Sequence, residues 1–345
     1  MTANAAVDGR TLYFTDPSTV EIRSRAVPEP GPDAVRVRTT ISAISAGTEG
    51  MIYRGDAPAS LPADECLEAF DEDLSFPLSY GYAAVGTVTE VGENVSESWL
   101  DRRVFAYNPH ESDFLAHPED LLVVPDDVSS REAALFANLE TAVNLVLDGG
   151  ALLGERVVVV GQGVVGLLTT ALLSELPLET LVTVEPRENR RRLSEAVGAD
   201  RTIDPAAKCP VERLESILGE DARADLTYEL SGNPDALDDA IAVTGFDGRV
   251  LVGSWYGTEQ TTLDLGGRFH RDRIEIESTQ VSTIDPELAG RWSRERRHRT
   301  AWNWLRRLDL SALFTHEIPF ENAADAYELI EERPEDAVQV LLAYD

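Results

Sequence analysis

Cysteine is almost missing from this chain. Cys66 and Cys209 are the only two in 345 residues, too few for a disulfide framework or a four-cysteine metal lobe. Lysine is scarcer still: Lys208 stands alone, and arginine supplies the rest of the 30 basic residues, against 62 acidic ones. The formal charge of −32 excludes general binding to nucleic acid or to an anionic membrane, because phosphate contacts need positive charge. No apolar run approaches the roughly 20 residues that span a bilayer. The opening Met1-Thr2-Ala3-Asn4-Ala5 lacks the basic and apolar regions of a signal peptide, so a cytoplasmic protein is expected. The acid is spread along the whole chain rather than gathered in a tail. That favours a cytoplasm of high salt, where repulsion is screened over about 3 Å at 1 M, over an ordinary cell.

What is present is enough for two well-filled domains, since 43% of the chain is apolar. Residues 10–125 carry short period-2 runs between glycine, proline and aspartate, such as Val35–Ile41 and Ala84–Val91, and predict a β-rich domain. An acidic stretch from Asp56 to Asp73 reads as a surface excursion. The period then changes. A helix is expected over 130–148, ending at Gly149-Gly150. Strands at Val157–Val160, Leu181–Val184, Arg201–Ile203, Asp225–Leu230, Arg249–Gly253 and Ile274–Thr279 then alternate with helices over 164–175, 188–197, 211–218 and 234–243. This alternation predicts an α/β fold with a Rossmann-type, doubly wound parallel sheet of six strands. Strands at Thr315–Phe320 and Gln339–Tyr344 flank a helix over 321–332 and are expected to return to the first domain. The expected division is 1–128, 129–283 and 284–345.

One turn carries chemistry. Four valines, Val157–Val160, are followed at once by Gly161-Gln162-Gly163-Val164-Val165-Gly166 and an apolar helix. In that context Gly161 permits the tight turn, Gly163 lets the backbone approach a pyrophosphate, and Gly166 lets helix and strand pack closely. The helix start offers free N–H groups and a positive dipole end to the phosphates. The next strand ends in Glu185, placed to accept hydrogen bonds from the adenosine ribose and to repel a 2′-phosphate. NAD is therefore expected, with NADP open because Arg187 and Arg190 follow closely. Ser231-Gly232 and Ser254-Trp255 follow the fourth and fifth strands, on the edge where ligands bind. Trp255 and Tyr256 either line a substrate cleft or belong to the core.

The order of parts, with Ala46-Gly47-Thr48-Glu49, Val85-Gly86-Thr87-Val88 and Gly198-Ala199-Asp200, resembles the medium-chain dehydrogenases/reductases over nearly the whole chain. The resemblance implies a GroES-like β-rich domain beside the Rossmann domain. It also implies that Val165 lies behind the nicotinamide and Thr141 near its ring. Where the zinc alcohol dehydrogenases carry Cys-Gly-Thr-Asp, this chain has Ala46-Gly47-Thr48-Glu49. Where they carry Gly-His-Glu, it has Gly81-Tyr82-Ala83. A catalytic zinc needs three protein ligands, so no zinc is expected; a zinc rebuilt from His110, Glu111 and Glu49 is the alternative. Within the superfamily, Ser45–Glu49, Tyr80–Gly86 and Pro109-His110 are similar to the zinc-lacking branch that contains bacteriochlorophyllide dehydrogenase.

Hydride transfer without a metal leaves the protein to position the substrate and manage one proton. The resemblance brings together Thr48, Glu49, Tyr53, Tyr82 and His110, with Tyr82 as phenolic donor and His110 as relay to solvent. The expected activity is hydride exchange with a secondary alcohol or carbonyl. An enone or quinone reductase is the second reading, and a silent dinucleotide sensor the third. From Arg291 to Arg307 run seven arginines and His298, either a helix paired to surface acids or, with Arg268, His270 and Arg271, a pocket for an anionic substrate. The edge at Ile274–Thr279 suggests a homodimer.

Overall fold

The computed structural model describes residues 7–59, 73–207, 209–219 and 222–345. The acidic excursion expected over 56–73 lies mostly outside these, as do Cys66 and Lys208. Contacts divide the chain into one unit of Met1–Ala137 with Leu305–Asp345 and a second of Asn138–Trp304.

The first unit is built on alternation. Strands β1 (Val7–Asp16) and β2 (Thr19–Val27) form a hairpin, and β3 (Val35–Ile44) leads through helix α1 (Thr48–Arg54) to β4 (Ala84–Val91). Strands β5 (Arg103–Ala106), β6 (Asp113–Ala116) and β7 (Leu121–Val123) and the one-turn helix α2 (Ser130–Ala133) complete its first segment. Ser129 starts α2 with a capping box: its hydroxyl accepts from the Glu132 amide, and the Glu132 carboxylate accepts from the Ser129 amide. A break at 134–135 then splits the single helix expected over 130–148 into α2 and α3 (Phe136–Gly149).

In the second unit β8 (Arg156–Val160) is the central strand. All four of its valines are at most 5% exposed, as expected of a parallel strand covered on both faces. Each contributes about 1.5–3 kcal/mol through burial. The chain continues through α4 (Val164–Leu173), β9 (Thr180–Val184), α5 (Glu188–Ala196), β10 (Arg201–Ile203), α6 (Pro210–Leu218) and β11 (Ala224–Glu229). After α7 (Ala236–Val243), β12 (Thr244–Val252) and β13 (Glu275–Ser278) close an all-parallel sheet in the order β10-β9-β8-β11-β12-β13. This is the six-stranded doubly wound order, with the reversal beside β8.

Helix α8 (Arg294–Leu305) belongs almost wholly to the second unit, although residues from 284 onward were expected with the C-terminal return. The reason is Arg297, which is 1% exposed and bonded to Glu140 and Asn144 of α3. The return itself forms as β14 (Phe314–Pro319), α9 (Ala323–Glu332) and β15 (Gln339–Ala343), with β15 antiparallel to β3. It completes a seven-stranded sheet, β14-β15-β3-β4-β5-β7, with β6 also on β3.

Candidate functional site

The glycine turn sits between the carboxyl end of β8 and the start of α4. Gly161 has φ +89°, and a Cβ there would lie 2.5 Å from the Ser231 Cα. A Cβ on Gly166 would lie 2.1 Å from the Gly161 carbonyl oxygen, so that glycine sets how closely helix meets strand. Gly163 differs from both: its φ is an ordinary −70°, and a Cβ would meet nothing within 4 Å. Open space faces the backbone at the position expected to approach a phosphate. No side chain caps α4, and its first intrahelical bond of this turn runs from the Leu167 amide to the Gly163 carbonyl. The amides of Val164, Val165 and Gly166 thus start the helix, where its dipole favours an anion. These features fit a dinucleotide pyrophosphate.

Glu185 follows β9 and is 2% exposed. Its Oε2 accepts from the Gln162 amide at 2.8 Å and its Oε1 from the Arg187 amide at 2.9 Å. The carboxylate therefore fastens the glycine turn to the end of β9, and each oxygen keeps a lone pair for another donor. Arg190 is half-buried, and burial pushes its guanidinium below the ordinary value, with Arg187 pushing the same way and Glu185 opposing. Ser231, Gly232 and Ser254 lie together at the carboxyl ends of β11 and β12, where the Gly232 amide donates to the Ser254 Oγ at 2.9 Å. Thr141 is half-buried on α3.

The polar residues of the first unit form two linked groups. Glu49 is fully buried, and three donors reach it: the Ser45 amide at 2.8 Å on Oε1, and the Tyr327 hydroxyl at 2.6 Å and His110 Nε2 at 2.9 Å on Oε2. His110 Nδ1 lies 2.7 Å from Ser42 Oγ, which meets the Tyr344 hydroxyl at 3.0 Å. Gly81 makes room for the imidazole, since a Cβ there would lie 2.7 Å from its Cδ2.

The second group is the Tyr82 phenol, which donates to Ser45 Oγ and also bonds the Thr48 side chain. Burial raises its pKa above the ordinary value of 10.0, the Glu49 charge adds to this, and the Ser45 and Thr48 bonds oppose it. Three hydroxyls therefore gather beside Ala46. Ser45 escaped the sequence reading, although its place next to Ala46 marked it.

Two of the expected residues are set among other side chains. His110 is fully buried with both ring nitrogens engaged, Nε2 on Glu49 and Nδ1 on Ser42. Tyr53 is 9% exposed and stacks on Tyr327 with centroids 5.4 Å apart, a packing role. The trio considered for a rebuilt zinc does not converge, because Glu111 turns to Arg25, Asn108 and Thr11. Among the described residues no three of His, Cys, Asp or Glu are grouped to hold a metal. The arginine-rich stretch is likewise used internally. Arg297 bonds Glu140, Asn144 and the Thr283 and Val281 carbonyls, Arg296 lies over the Trp292 ring, and Arg268 pairs with Asp272.

Residues 164–292 match the family model for zinc-binding dehydrogenases. The chain is 24% identical over 342 residues to D-guloside 3-dehydrogenase of Escherichia coli (strain K12), covering 93% of this chain and 95% of that protein. A zinc-binding dehydrogenase of Sinorhizobium meliloti 1021 bound to NADP shares the fold, with a TM-score of 0.78, 19% identity, and 98% of this chain and 99% of that one covered. So does an alcohol dehydrogenase of Escherichia coli CFT073 complexed with NADH, with a TM-score of 0.79, 18% identity and coverage of 97% and 99%. In fold, in the matched segment and over the length of its relatives, the chain is similar to dehydrogenases, which supports an NAD(P)-dependent oxidoreductase.

Proposed function

We propose that the protein is a zinc-independent, NAD-dependent dehydrogenase that exchanges hydride with a secondary alcohol or its carbonyl, and that Tyr82 supplies the proton. The observation that carries this reading is the Tyr82 phenol held by Ser45 and Thr48 where the family's metal motifs would converge. Ala46 and Tyr82 replace two expected zinc ligands, and the donor set of the described residues does not fit a metal. No step is therefore routed through one.

A bound nicotinamide coenzyme supplies or accepts the hydride. The amides of Val164, Val165 and Gly166 would hold its pyrophosphate, and Glu185, already fastened to the Gln162 amide, would accept from the adenosine ribose, which favours NAD over NADP. Tyr82 remains a neutral phenol at physiological pH because burial and Glu49 raise its pKa. It is still a far stronger acid than an aliphatic alcohol, so its proton passes readily to a developing alkoxide. The Ser45 and Thr48 hydroxyls then stabilise the phenolate. Glu49, fixed by His110 and Tyr327, holds the Ser45 backbone in register with Tyr82.

The similarity to D-guloside 3-dehydrogenase directs the test toward ring and chain secondary hydroxyls. Chelator-treated protein is assayed with NAD+ and a panel of sugar and polyol alcohols at molar salt. Turnover survives metal removal, and Tyr82→Phe lowers it by about 10²–10⁴-fold. Activity that returns only with added zinc, or an unaffected Tyr82→Phe enzyme, contradicts the reading. Transfer of deuteride from labelled coenzyme to an alkene or quinone carbon would assign the enone or quinone reductase instead. The reading includes a homodimer across β13, whose four residues are all exposed along the sheet edge; a monomer mass by light scattering contradicts it.

A further inference from the structure

A second buried carboxylate stands where the mechanism above does not use it. Glu229 ends β11, inside the apolar run Leu226-Thr227-Tyr228-Glu229-Leu230, and is 0% exposed. A charge is rarely left there without dedicated donors, and this one has three. The Ser231 amide donates to Oε1 at 2.8 Å, the Ser231 hydroxyl donates to the same oxygen, and the Tyr256 hydroxyl donates to Oε2 at 2.5 Å. Ser231 Oγ in turn accepts from the Asn233 amide at 3.0 Å, and Ser254 Oγ accepts from the Gly232 amide. Residues 231–233, after β11, are thereby tied to residues 254–256, after β12. Every bond lies within the second unit.

The place of the clamp in the sheet gives it meaning. In this strand order the half-sheet β8-β9-β10 carries the glycine turn and Glu185, which on the dinucleotide reading would take the pyrophosphate and the adenosine ribose. The half-sheet β11-β12-β13 faces the other mononucleotide. Ser231 stands directly against the turn, its Cα being the nearest atom to a Cβ built on Gly161. Gly232 leaves open space, with nothing within 4 Å of a built Cβ.

We infer that Glu229 and Tyr256 are positioning residues for the nicotinamide half of the coenzyme: they fix the loops after β11 and β12 in the arrangement that receives the nicotinamide ribose and ring. This rests on the dinucleotide reading above. Neither residue touches the reacting atoms; each acts through Ser231, Gly232 and Ser254.

Calorimetry at molar salt compares NAD+ with ADP, which keeps the adenosine and both phosphates but lacks the nicotinamide ribose and ring, on the wild-type protein and on Tyr256→Phe. Tyr256→Phe weakens NAD+ about tenfold and leaves ADP within about twofold, because only one half-site loses its support. Unchanged NAD+ affinity, or equal weakening of both ligands, overturns the inference. Ser254→Ala, which removes the acceptor of the Gly232 amide, gives the same split and decides the matter if Tyr256→Phe does not fold. Wild-type protein that binds neither ligand refutes the dinucleotide reading itself, an outcome distinct from wild-type binding with no split between variants.

Discussion

Replacing Gly163 by alanine separates the coenzyme from the fold. Its φ of −70° and ψ of −173° suit alanine, and the added Cβ meets nothing within 4 Å. Loss of unfolded-state freedom stabilises the variant by about 0.4–1 kcal/mol. Alanine is a poorer helix N-cap than glycine, which costs up to about 1 kcal/mol. The two nearly cancel, so the thermal midpoint stays where it was. The new methyl occupies the space facing the turn, however, and holds a pyrophosphate off the amides of Val164, Val165 and Gly166. Losing one hydrogen bond to a charged group costs about 1.5–3 kcal/mol, or about 10- to 140-fold in affinity. Gly166→Ala gives the opposite pattern, because its Cβ would lie 2.1 Å from the Gly161 carbonyl oxygen and must push helix from strand. That overpacking costs about 1–3 kcal/mol of stability. Calorimetry with NAD+ and a thermal melt on each variant measure both quantities. A Gly163→Ala protein that binds NAD+ as tightly as the wild type refutes the assignment of this turn to the pyrophosphate.

Other perturbations test other parts of the account. Glu140→Ala strands the buried Arg297 guanidinium without its carboxylate; chemical denaturation should show a loss of about 3–5 kcal/mol, and a loss below 1 kcal/mol contradicts a buried ion pair. Tyr82, Tyr327 and Tyr344 have phenols raised above 10.0, chiefly by burial. Their contribution to stability is complete below pH 10 and lost as pH climbs through the folded values. Phenolate absorbance of these residues should therefore appear only together with alkaline unfolding, and their early, fully reversible titration in folded protein contradicts the burial. With a net charge of −32, the thermal midpoint should rise between 0.1 M and 1 M salt as the screening length falls from about 10 Å to about 3 Å; a flat or falling midpoint contradicts adaptation to high salt.

Much of the fold was legible because its signals are local. Four valines before Gly161 mark a two-sided buried strand, and β10 spans the expected Arg201–Ile203. The apolar pattern predicts a start for β12 at Arg249, yet the strand begins at Thr244. Its pairing with β11 shifts register between Ala224 and Leu226, and no local pattern announces such a slip. The site was legible in part. Tyr82 stood out because it occupies a motif position, and the glycine turn because strand and helix flank it. The partners of Glu49 were not legible: His110 lies 61 residues away and Tyr327 lies 278 away, so only the closed sheet β15-β3-β4 brings them together. Glu229 did leave a signal, an acid at the end of an apolar strand, but its donors become evident only once the loops after β11 and β12 are in place.

A crystal structure with coenzyme bound, recorded at the zinc absorption edge, tests hydride chemistry at a pyrophosphate-binding turn with a phenol in place of zinc. Phosphate oxygens are expected on the amides of residues 164–166, with no anomalous peak beside Ala46, Tyr82 or His110. Phosphate density elsewhere, or a zinc peak among those three residues, would contradict it.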